Sequence, residues 1–158
     1  MDLDRTLARR FFRKESDGWS GDDAGSDMTA STGVGAINPR ALVYSFAFHP
    51  CGSSMNSLDR DRYSTIHVTP EDGHSYARFE CVGHSDETIK WLRRAVDVFR
   101  PGAVSVSFCM ASGGGDCQAC SAVAEVLQLL GFVCRSQAAD EFPGSGTVTY
   151  QTFVARRK

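Results

Sequence analysis

Apolar side chains along this chain follow two periods, the two-residue period of a strand and the longer period of an amphipathic helix. Strand periodicity or strand composition covers six segments, which are residues 42–48, 64–69, 75–82, 103–109, 132–138 and 147–155. Helical periodicity covers residues 88–99 and 119–130. The order βββαβαββ, with short turns between neighbouring strands, predicts an α+β fold: a largely antiparallel sheet with helices on one face.

The first 40 residues differ in composition from the rest of the chain. Residues 2–13 place apolar side chains near helical spacing and predict a short amphipathic helix. From residue 14 to about residue 38, Gly, Ser, Asp and Thr dominate, which is typical of a loop or flexible linker that includes a helical turn near residues 24–31. The sequence therefore predicts an α+β domain at residues 41–158, preceded by a helix and a flexible segment at residues 1–40.

Composition narrows the class of protein. A chain of 158 residues fits one domain, and a net charge of −2 from 17 basic and 19 acidic side chains gives no reason to expect nucleic acid or an acidic membrane surface as a partner. No apolar run approaches the roughly 20 residues of a membrane helix. The opening residues lack the apolar core of a secretory signal, so the six cysteines indicate reduced thiols in the cytoplasm.

Two short blocks carry the residues best suited to chemistry. Residues 50–56, Pro-Cys-Gly-Ser-Ser-Met-Asn, are typical of a tight turn with a thiol and a hydroxyl. Residues 65–71, Thr-Ile-His-Val-Thr-Pro-Glu, are typical of a strand that presents a histidine and ends before a carboxylate. A hydroxyl, an imidazole and a carboxylate on neighbouring elements can transfer protons, and histidine is the default proton acceptor near neutral pH.

Each of these residues also has a purely structural interpretation. His67 could be a satisfied histidine on a sheet face, and Glu71 an exposed charge at a strand end. Phe48 could be a core aromatic, and Cys51 a buried free cysteine. Cys117 and Cys120 have the spacing of a metal or redox motif, but a single such pair without a second is weak, and no metal site is predicted.

The two blocks, together with Asp-Gly-His-Ser-Tyr-Ala-Arg-Phe-Glu at residues 72–80, resemble the eukaryotic S-adenosylmethionine decarboxylases. The resemblance runs through the whole chain, is strongest over residues 48–80, and matches the second half of a family proenzyme. It implies one half of an α-β-β-α sandwich. It also implies a carboxy-lyase that makes decarboxylated S-adenosylmethionine for spermidine and spermine biosynthesis, and that matures from a zymogen by autocatalytic cleavage.

The resemblance also implies roles for particular residues. Ser54 and His67 match a serine and a histidine that assist self-cleavage, in which another serine becomes a covalent pyruvoyl group. That group is the electron sink for loss of CO2, as PLP is in other enzymes. Phe48 matches a phenylalanine that stacks on the adenine of the substrate, and Glu71 a carboxylate that binds its ribose hydroxyls.

Two further residues are accessory candidates. Cys51 lies inside the first block, and Glu80 matches an acidic position that helps bind a diamine in some relatives.

The chain also departs from the family pattern. The family has a Glu-Ser-Ser cleavage motif, which is missing here; residues 15–16 give Glu-Ser, but Asp17 follows. Ser53 stands where the family usually has an aromatic. The expectation is a partial chain, inactive alone, whose pyruvoyl group comes from a serine outside it and whose apolar sheet face is left uncovered. Its partner would be the missing N-terminal half or a homologous decarboxylase. The alternative is a catalytically dead relative that binds and regulates an active decarboxylase.

Overall fold

The computed structural model describes residues 1–13, 18–83, 85–111 and 118–156. Internal contacts divide the chain into two compact units, Met1–Pro101 and Gly102–Lys158. Both blocks with candidate chemistry lie in the first unit.

The first unit begins with a short helix that packs into its core. Helix α1, Arg5–Ala8, continues as a 3-10 turn, Arg9–Phe11. The Asp4 carboxylate accepts hydrogen bonds from the main-chain N–H groups of Thr6 and Leu7, at 3.1 and 3.0 Å, which satisfies donors that a helix start leaves unpaired. The predicted apolar stripe is confirmed for Leu3, Leu7 and Phe11, which are buried, but not for Phe12, which is 43% exposed.

The polar segment predicted as a flexible linker contains a helix of 12 residues, α2, Gly21–Thr32. Its start is capped by Ser20, whose hydroxyl accepts a hydrogen bond from the N–H of Asp23 at 3.1 Å, and its end by Gly33 with φ of +81°. Met28 and Thr32 lie buried on its inner side. The helix is longer than the turn expected at residues 24–31, because capping and packing outweigh its low intrinsic helix propensity.

Four antiparallel strands form the sheet of the first unit, in the order β1-β2-β3-β4. They are β1 Leu42–Ala47, β2 Ser53–Asp59, β3 Arg62–Thr69 and β4 Tyr76–Val82. Strand β2 was not predicted, and the interpretation of residues 50–56 as a tight turn is wrong from Ser53 onward. Serine and asparagine are poor strand formers, but β2 is paired on both sides and buries alternate residues, which overrides that preference.

Helix α3, Ser85–Phe99, confirms the helix predicted at residues 88–99. Its buried face joins the inner face of the sheet, the N-terminal helix and α2 in one apolar cluster. The members from α3 are Trp91, Ala95 and Phe99. The core of the first unit therefore lies on one face of its sheet only.

The second unit contains the remaining elements, β5 Ala103–Ala111, α4 Gln118–Leu129, β6 Phe132–Phe142 and β7 Gly146–Ala155. These strands form a separate antiparallel sheet in the order β5-β7-β6, with an irregularity between Cys134 and Ser136. The described residues thus carry two sheets where one was expected. The α+β class and the antiparallel pairing are confirmed.

Three features that the sequence analysis considered fall on residues that the structure does not describe. Cys117, the glycines at residues 113–115 and the Glu-Ser pair at residues 15–16 lie outside the described residues. Within the described ranges, no helix is long and apolar enough to cross a membrane. Within those same ranges, His, Cys, Asp and Glu side chains form no group of three or more able to hold a metal ion.

Candidate active site

The sheet of the first unit has one buried face and one exposed face. Side chains alternate between them, so that in β3, for example, Ile66 and Val68 are buried while His67 is exposed. We call the exposed side the open face. Register arranges its side chains in rows across the strands. The first row is Leu42, Leu58, Tyr63 and Val82; the second is Tyr44, Asn56, Thr65 and Glu80; the third is Phe46, Ser54, His67 and Arg78; the fourth is Phe48, Thr69 and Tyr76.

The third row brings the two catalytic candidates side by side. Ser54 and His67 are direct register partners on β2 and β3, and such pairs have Cβ atoms about 4.5–5.5 Å apart. Ser54 is half-buried and His67 is exposed. The hydroxyl and the imidazole therefore point from adjacent strands toward whatever lies against the open face.

Arg78 is the register partner of His67 on its other side. Sequence reasoning did not single out this arginine, although the alternation of residues 75–82 would place it on the same face as Glu80. Its guanidinium forms an ion pair with Glu80. The open face thus carries a charged pair directly beside the histidine.

The remaining candidates gather at the end of the sheet nearest this row. Phe48 follows β1, Cys51 precedes β2, and Glu71 follows β3. Phe48 is 48% exposed, so it is not a core aromatic, and its ring lies 5.4 Å from that of Phe46 at an angle of 59°. An exposed aromatic ring and an exposed carboxylate therefore lie at the same end of the sheet.

Gly52 connects the two blocks. Its φ is +94°, and a Cβ atom placed on it would lie 3.0 Å from the main-chain oxygen of Val68. Its carbonyl accepts a hydrogen bond from the N–H of Phe48, and its own N–H donates to the carbonyl of Phe11, both at 2.9 Å. The N-terminal 3-10 turn therefore helps hold the first block against the second.

The surroundings of Cys51 disfavour the thiolate form of its side chain. Burial raises its pKa, and the nearby charge of Glu71 raises the pKa further. A thiol with a raised pKa is mostly un-ionised at neutral pH, and the thiolate is the reactive form. The effect of the Glu71 charge on this pKa indicates that the carboxylate lies near the thiol, although the two residues belong to different loops.

Glu80 lies on the open face but one row away from Ser54 and His67, beside Thr65. The Thr65 hydroxyl is buried and has no hydrogen-bond partner among the described residues. At the β1 end of the second row, the Tyr44 hydroxyl donates a hydrogen bond to the Asp22 carboxylate at 2.6 Å, and this hydrogen bond raises the pKa of Tyr44. Glu80 therefore lies one row from Ser54 and His67 and is connected to their row by its ion pair with Arg78.

A shallow depression of about 350 Å³ lies toward the end of the sheet that is farther from Ser54 and His67. Its lining is mainly apolar and comprises Leu42, Tyr44, Asn56, Ser57, Leu58, Tyr63 and Ser64. Neither Ser54 nor His67 lines it. Ser53, the position where the family usually has an aromatic, points to the buried face and does not contribute to the open face.

Comparison with known proteins identifies the family. The model of the family described as adenosylmethionine decarboxylase matches residues 1–154. The chain is 49% identical to S-adenosylmethionine decarboxylase proenzyme 4 of Arabidopsis thaliana, covering 99% of this chain and 47% of that protein. It is 35% identical to the S-adenosylmethionine decarboxylase proenzyme of Oryza sativa subsp. japonica, covering 97% and 38%.

A solved structure matches at the level of the fold. The crystal structure of the Trypanosoma brucei AdoMetDC-delta26 monomer superposes with a TM-score of 0.76 at 19% identity, covering 99% of this chain and 62% of that one. The chain spans less than half the length of the two plant relatives. This chain belongs to the adenosylmethionine decarboxylase family.

Proposed function

We propose that this chain supplies the proton-transfer and substrate-holding side of a pyruvoyl-dependent S-adenosylmethionine decarboxylase that serves spermidine and spermine synthesis in the cytoplasm. The observation that carries the proposal is the register pairing of Ser54 with His67 on the open face. The two residues come from separate sequence blocks, and only the hairpin of β2 and β3 brings them together.

His67 is suited to act as a general base. Its strand is paired on both sides, with Ser54 and Arg78 as direct neighbours, so the direction of the imidazole is constrained. A general base must lie within hydrogen-bond reach of the proton that it removes. The exposed position of His67 leaves room for a reacting group, and the Ser54 hydroxyl can donate a hydrogen bond to an oxygen that gains charge there.

Phe48 and Glu71 are suited to hold the substrate. An exposed aromatic ring can stack on adenine, and a carboxylate can accept two hydrogen bonds from the hydroxyls of a ribose. Both residues follow strand ends beside the row of Ser54 and His67. Cys51 lies between them in the sequence, and its thiol can donate a weak hydrogen bond.

The pyruvoyl group would come from a serine outside these 158 residues, which contain no Glu-Ser-Ser motif. When present, that group supplies the electron sink for loss of CO2. The open face fits such a group, because it offers the hydroxyl of Ser54 and the exposed imidazole of His67 side by side. We infer that the chain alone does not decarboxylate and that a segment bearing the reactive serine must cover the open face.

A chimera tests the proposal. The matching region of Arabidopsis thaliana proenzyme 4 is replaced by this chain, and maturation into two chains is followed on a denaturing gel, with CO2 release from carboxyl-labelled S-adenosylmethionine as the activity. The chimera should mature and release CO2. His67→Ala should block maturation, and Ser54→Ala should slow it, by the 10²–10⁴-fold typical of a lost acid–base group.

Variants of a second histidine and a second serine nearby in the sequence provide matched controls for His67→Ala and Ser54→Ala. His74→Ala changes an exposed histidine in the turn after β3, and Ser53→Ala changes the adjacent serine, which points to the buried face. Both control variants should mature normally. Normal two-chain maturation of the His67→Ala chimera would contradict the assigned role of that histidine.

The second candidate function is binding without catalysis, in which this chain regulates an active decarboxylase. The observation that favours it is the exposed apolar character of the open face, which suits a protein partner. A chimera that folds but neither matures nor releases CO2 would favour this candidate over the first.

A further inference from the structure

The N-terminal segment is paired with the first sequence block. An antiparallel bridge joins Phe12 to Cys51. Two main-chain hydrogen bonds of 2.9 Å enclose this bridge, from the N–H of Arg13 to the carbonyl of Pro50 and from the N–H of Gly52 to the carbonyl of Phe11. A pair enclosed in this way is of the closer, non-hydrogen-bonded kind, with Cα atoms about 4.5 Å apart. The side chains of Phe12 and Cys51 therefore lie next to each other, on the same side of the bridge.

Phe12 points away from the hydrophobic core. Its φ of −91° and ψ of 135° are extended, and successive residues of an extended segment point to opposite sides. Phe11 accordingly lies in the core at 1% exposed, whereas Phe12 is 43% exposed. Core packing therefore accounts for the first of these phenylalanines and leaves the second on the side of Cys51.

Cys51 connects Phe12 with the carboxylate that is suited to hold a ribose. The charge of Glu71 contributes to the raised pKa of the Cys51 thiol, which indicates that the two side chains are close. Phe12 and Glu71 come from segments almost 60 residues apart in the sequence. Both nevertheless lie beside the same cysteine, at the same end of the sheet.

The ring of Phe48 completes this group. A Cβ atom placed on Gly52 would lie 3.9 Å from Cδ2 of Phe48 and 3.8 Å from Cδ of Pro70, the residue before Glu71. The Phe48 ring therefore lies over the glycine that follows Cys51. Two aromatic rings and one carboxylate thus gather around residues 51–52.

We propose that Phe12 is a further substrate-binding residue, whose ring packs against the ribose that Glu71 holds; this inference rests on the proposed function. A ligand whose adenine stacks on Phe48 and whose ribose hydroxyls reach Glu71 spans Cys51, and Phe12 lies beside that path. The apolar ring excludes water from the hydrogen bonds between ribose and carboxylate, and hydrogen bonds are stronger where water is excluded. Phe12 has no group that transfers protons, so it acts on binding and not on the chemical step.

Kinetics of the chimera with Arabidopsis thaliana proenzyme 4 test this role. Phe12→Ala should leave maturation and kcat unchanged and raise KM for S-adenosylmethionine roughly fivefold or more, as expected when an aromatic contact is lost from binding alone. Phe12→Tyr keeps the ring and should recover most of this loss. A general loss of structure would instead lower kcat and the yield of mature chains together.

A double variant tests whether Phe12 acts on the same contact as Glu71. Glu71→Gln weakens the interaction with the ribose hydroxyls and should raise KM by itself. If the Phe12 ring shields that interaction, the double variant F12A/E71Q should raise KM by less than the product of the two single fold-changes. Fold-changes that multiply would show that Phe12 does not act on the ribose contact.

A binding measurement makes the outcome independent of maturation. The probe is 5′-methylthioadenosine, which carries the adenine, ribose and sulfur of the substrate but no carboxylate, and calorimetry measures its affinity for each chimera whether or not the chain is cleaved. Phe12→Ala should weaken binding by the same factor as it raises KM. Leu129→Ala provides the control, because it truncates an exposed apolar side chain at the end of α4 in the second unit and should leave the affinity unchanged.

The two proposals fail in different ways. A parent chimera that binds the probe but neither matures nor releases CO2 contradicts the proposed function, while the effect of Phe12→Ala on probe affinity still decides the role of Phe12. The role is overturned if the parent chimera does not bind the probe, if Phe12→Ala leaves its affinity unchanged, or if Leu129→Ala weakens binding as much as Phe12→Ala does.

Discussion

Replacing Gly52 by alanine tests how the two sequence blocks are held together. Gly52 combines a φ of +94° with a close approach to the carbonyl oxygen of Val68, at 3.0 Å from the position that a Cβ atom would take. The oxygen belongs to β3, so it cannot move without moving the strand that carries His67. We therefore expect Gly52→Ala to destabilise the first unit through both the backbone and the contact.

The magnitude follows from these two effects. A non-glycine residue at positive φ costs about 1–2 kcal/mol, and the reduced freedom of the unfolded chain offsets about 0.4–1 kcal/mol of that cost. Crowding against a fixed main-chain atom adds about 1–3 kcal/mol. The expected loss is about 2–3 kcal/mol in the free energy of unfolding, or roughly 10–20 °C in the melting temperature of a domain of this size.

Gly73 provides the matched control. It has a similar φ of +83°, but a Cβ atom there would meet nothing within 4 Å. Gly73→Ala should therefore show only the backbone effect, about 1 kcal/mol or less. Urea unfolding followed by circular dichroism measures both variants. Equal losses for Gly52→Ala and Gly73→Ala would refute the argument that the contact with Val68 holds the blocks together.

Two further predictions concern stability in the same unit. The buried hydroxyls of Ser57 and Ser64 lie 2.6 Å apart, so Ser57→Ala should lower the free energy of unfolding by about 1–2 kcal/mol. The double variant S57A/S64A should lose less than the sum of the two single changes, because the two hydroxyls satisfy each other. Additive losses in urea unfolding would contradict this prediction. Burial raises the pKa of the Cys81 thiol to about 11 despite a hydrogen bond with Thr88, whereas the unfolded thiol titrates near 8.5. The contribution of Cys81 to stability should therefore be complete below pH 8.5 and decline as the pH rises toward 11. Cys81→Ala should lack this decline. If the urea midpoints of the parent chain and of Cys81→Ala changed with pH in the same way, the prediction would be wrong.

The sequence indicated the chemistry more readily than the structure that supports it. The blocks at residues 50–56 and 65–71 pointed to Ser54, His67 and Glu71 as residue types at fixed spacing. The structure then placed Ser54 beside His67 through strand register. It also added Arg78, which no local pattern connects with the histidine.

Two elements escaped prediction for the same physical reason. Strand β2 is rich in serine and asparagine, and helix α2 in glycine, serine and aspartate, so neither has strong intrinsic propensity. Strand β2 is stabilised by pairing on both sides, and α2 by its caps and by packing against β1. Such stabilisation depends on residues far away in the sequence.

What the sequence determined by itself was the class of fold, the helices α3 and α4, most of the strands, and the residue types of the candidate site. Periodicity and local composition are sufficient for these, because each depends on neighbouring residues. Tertiary structure alone decided the division into two sheets, the register that sets Ser54 against His67, and the order of rows on the open face. Register is a relation between strands, and a shift of one residue would turn every one of these side chains to the opposite face.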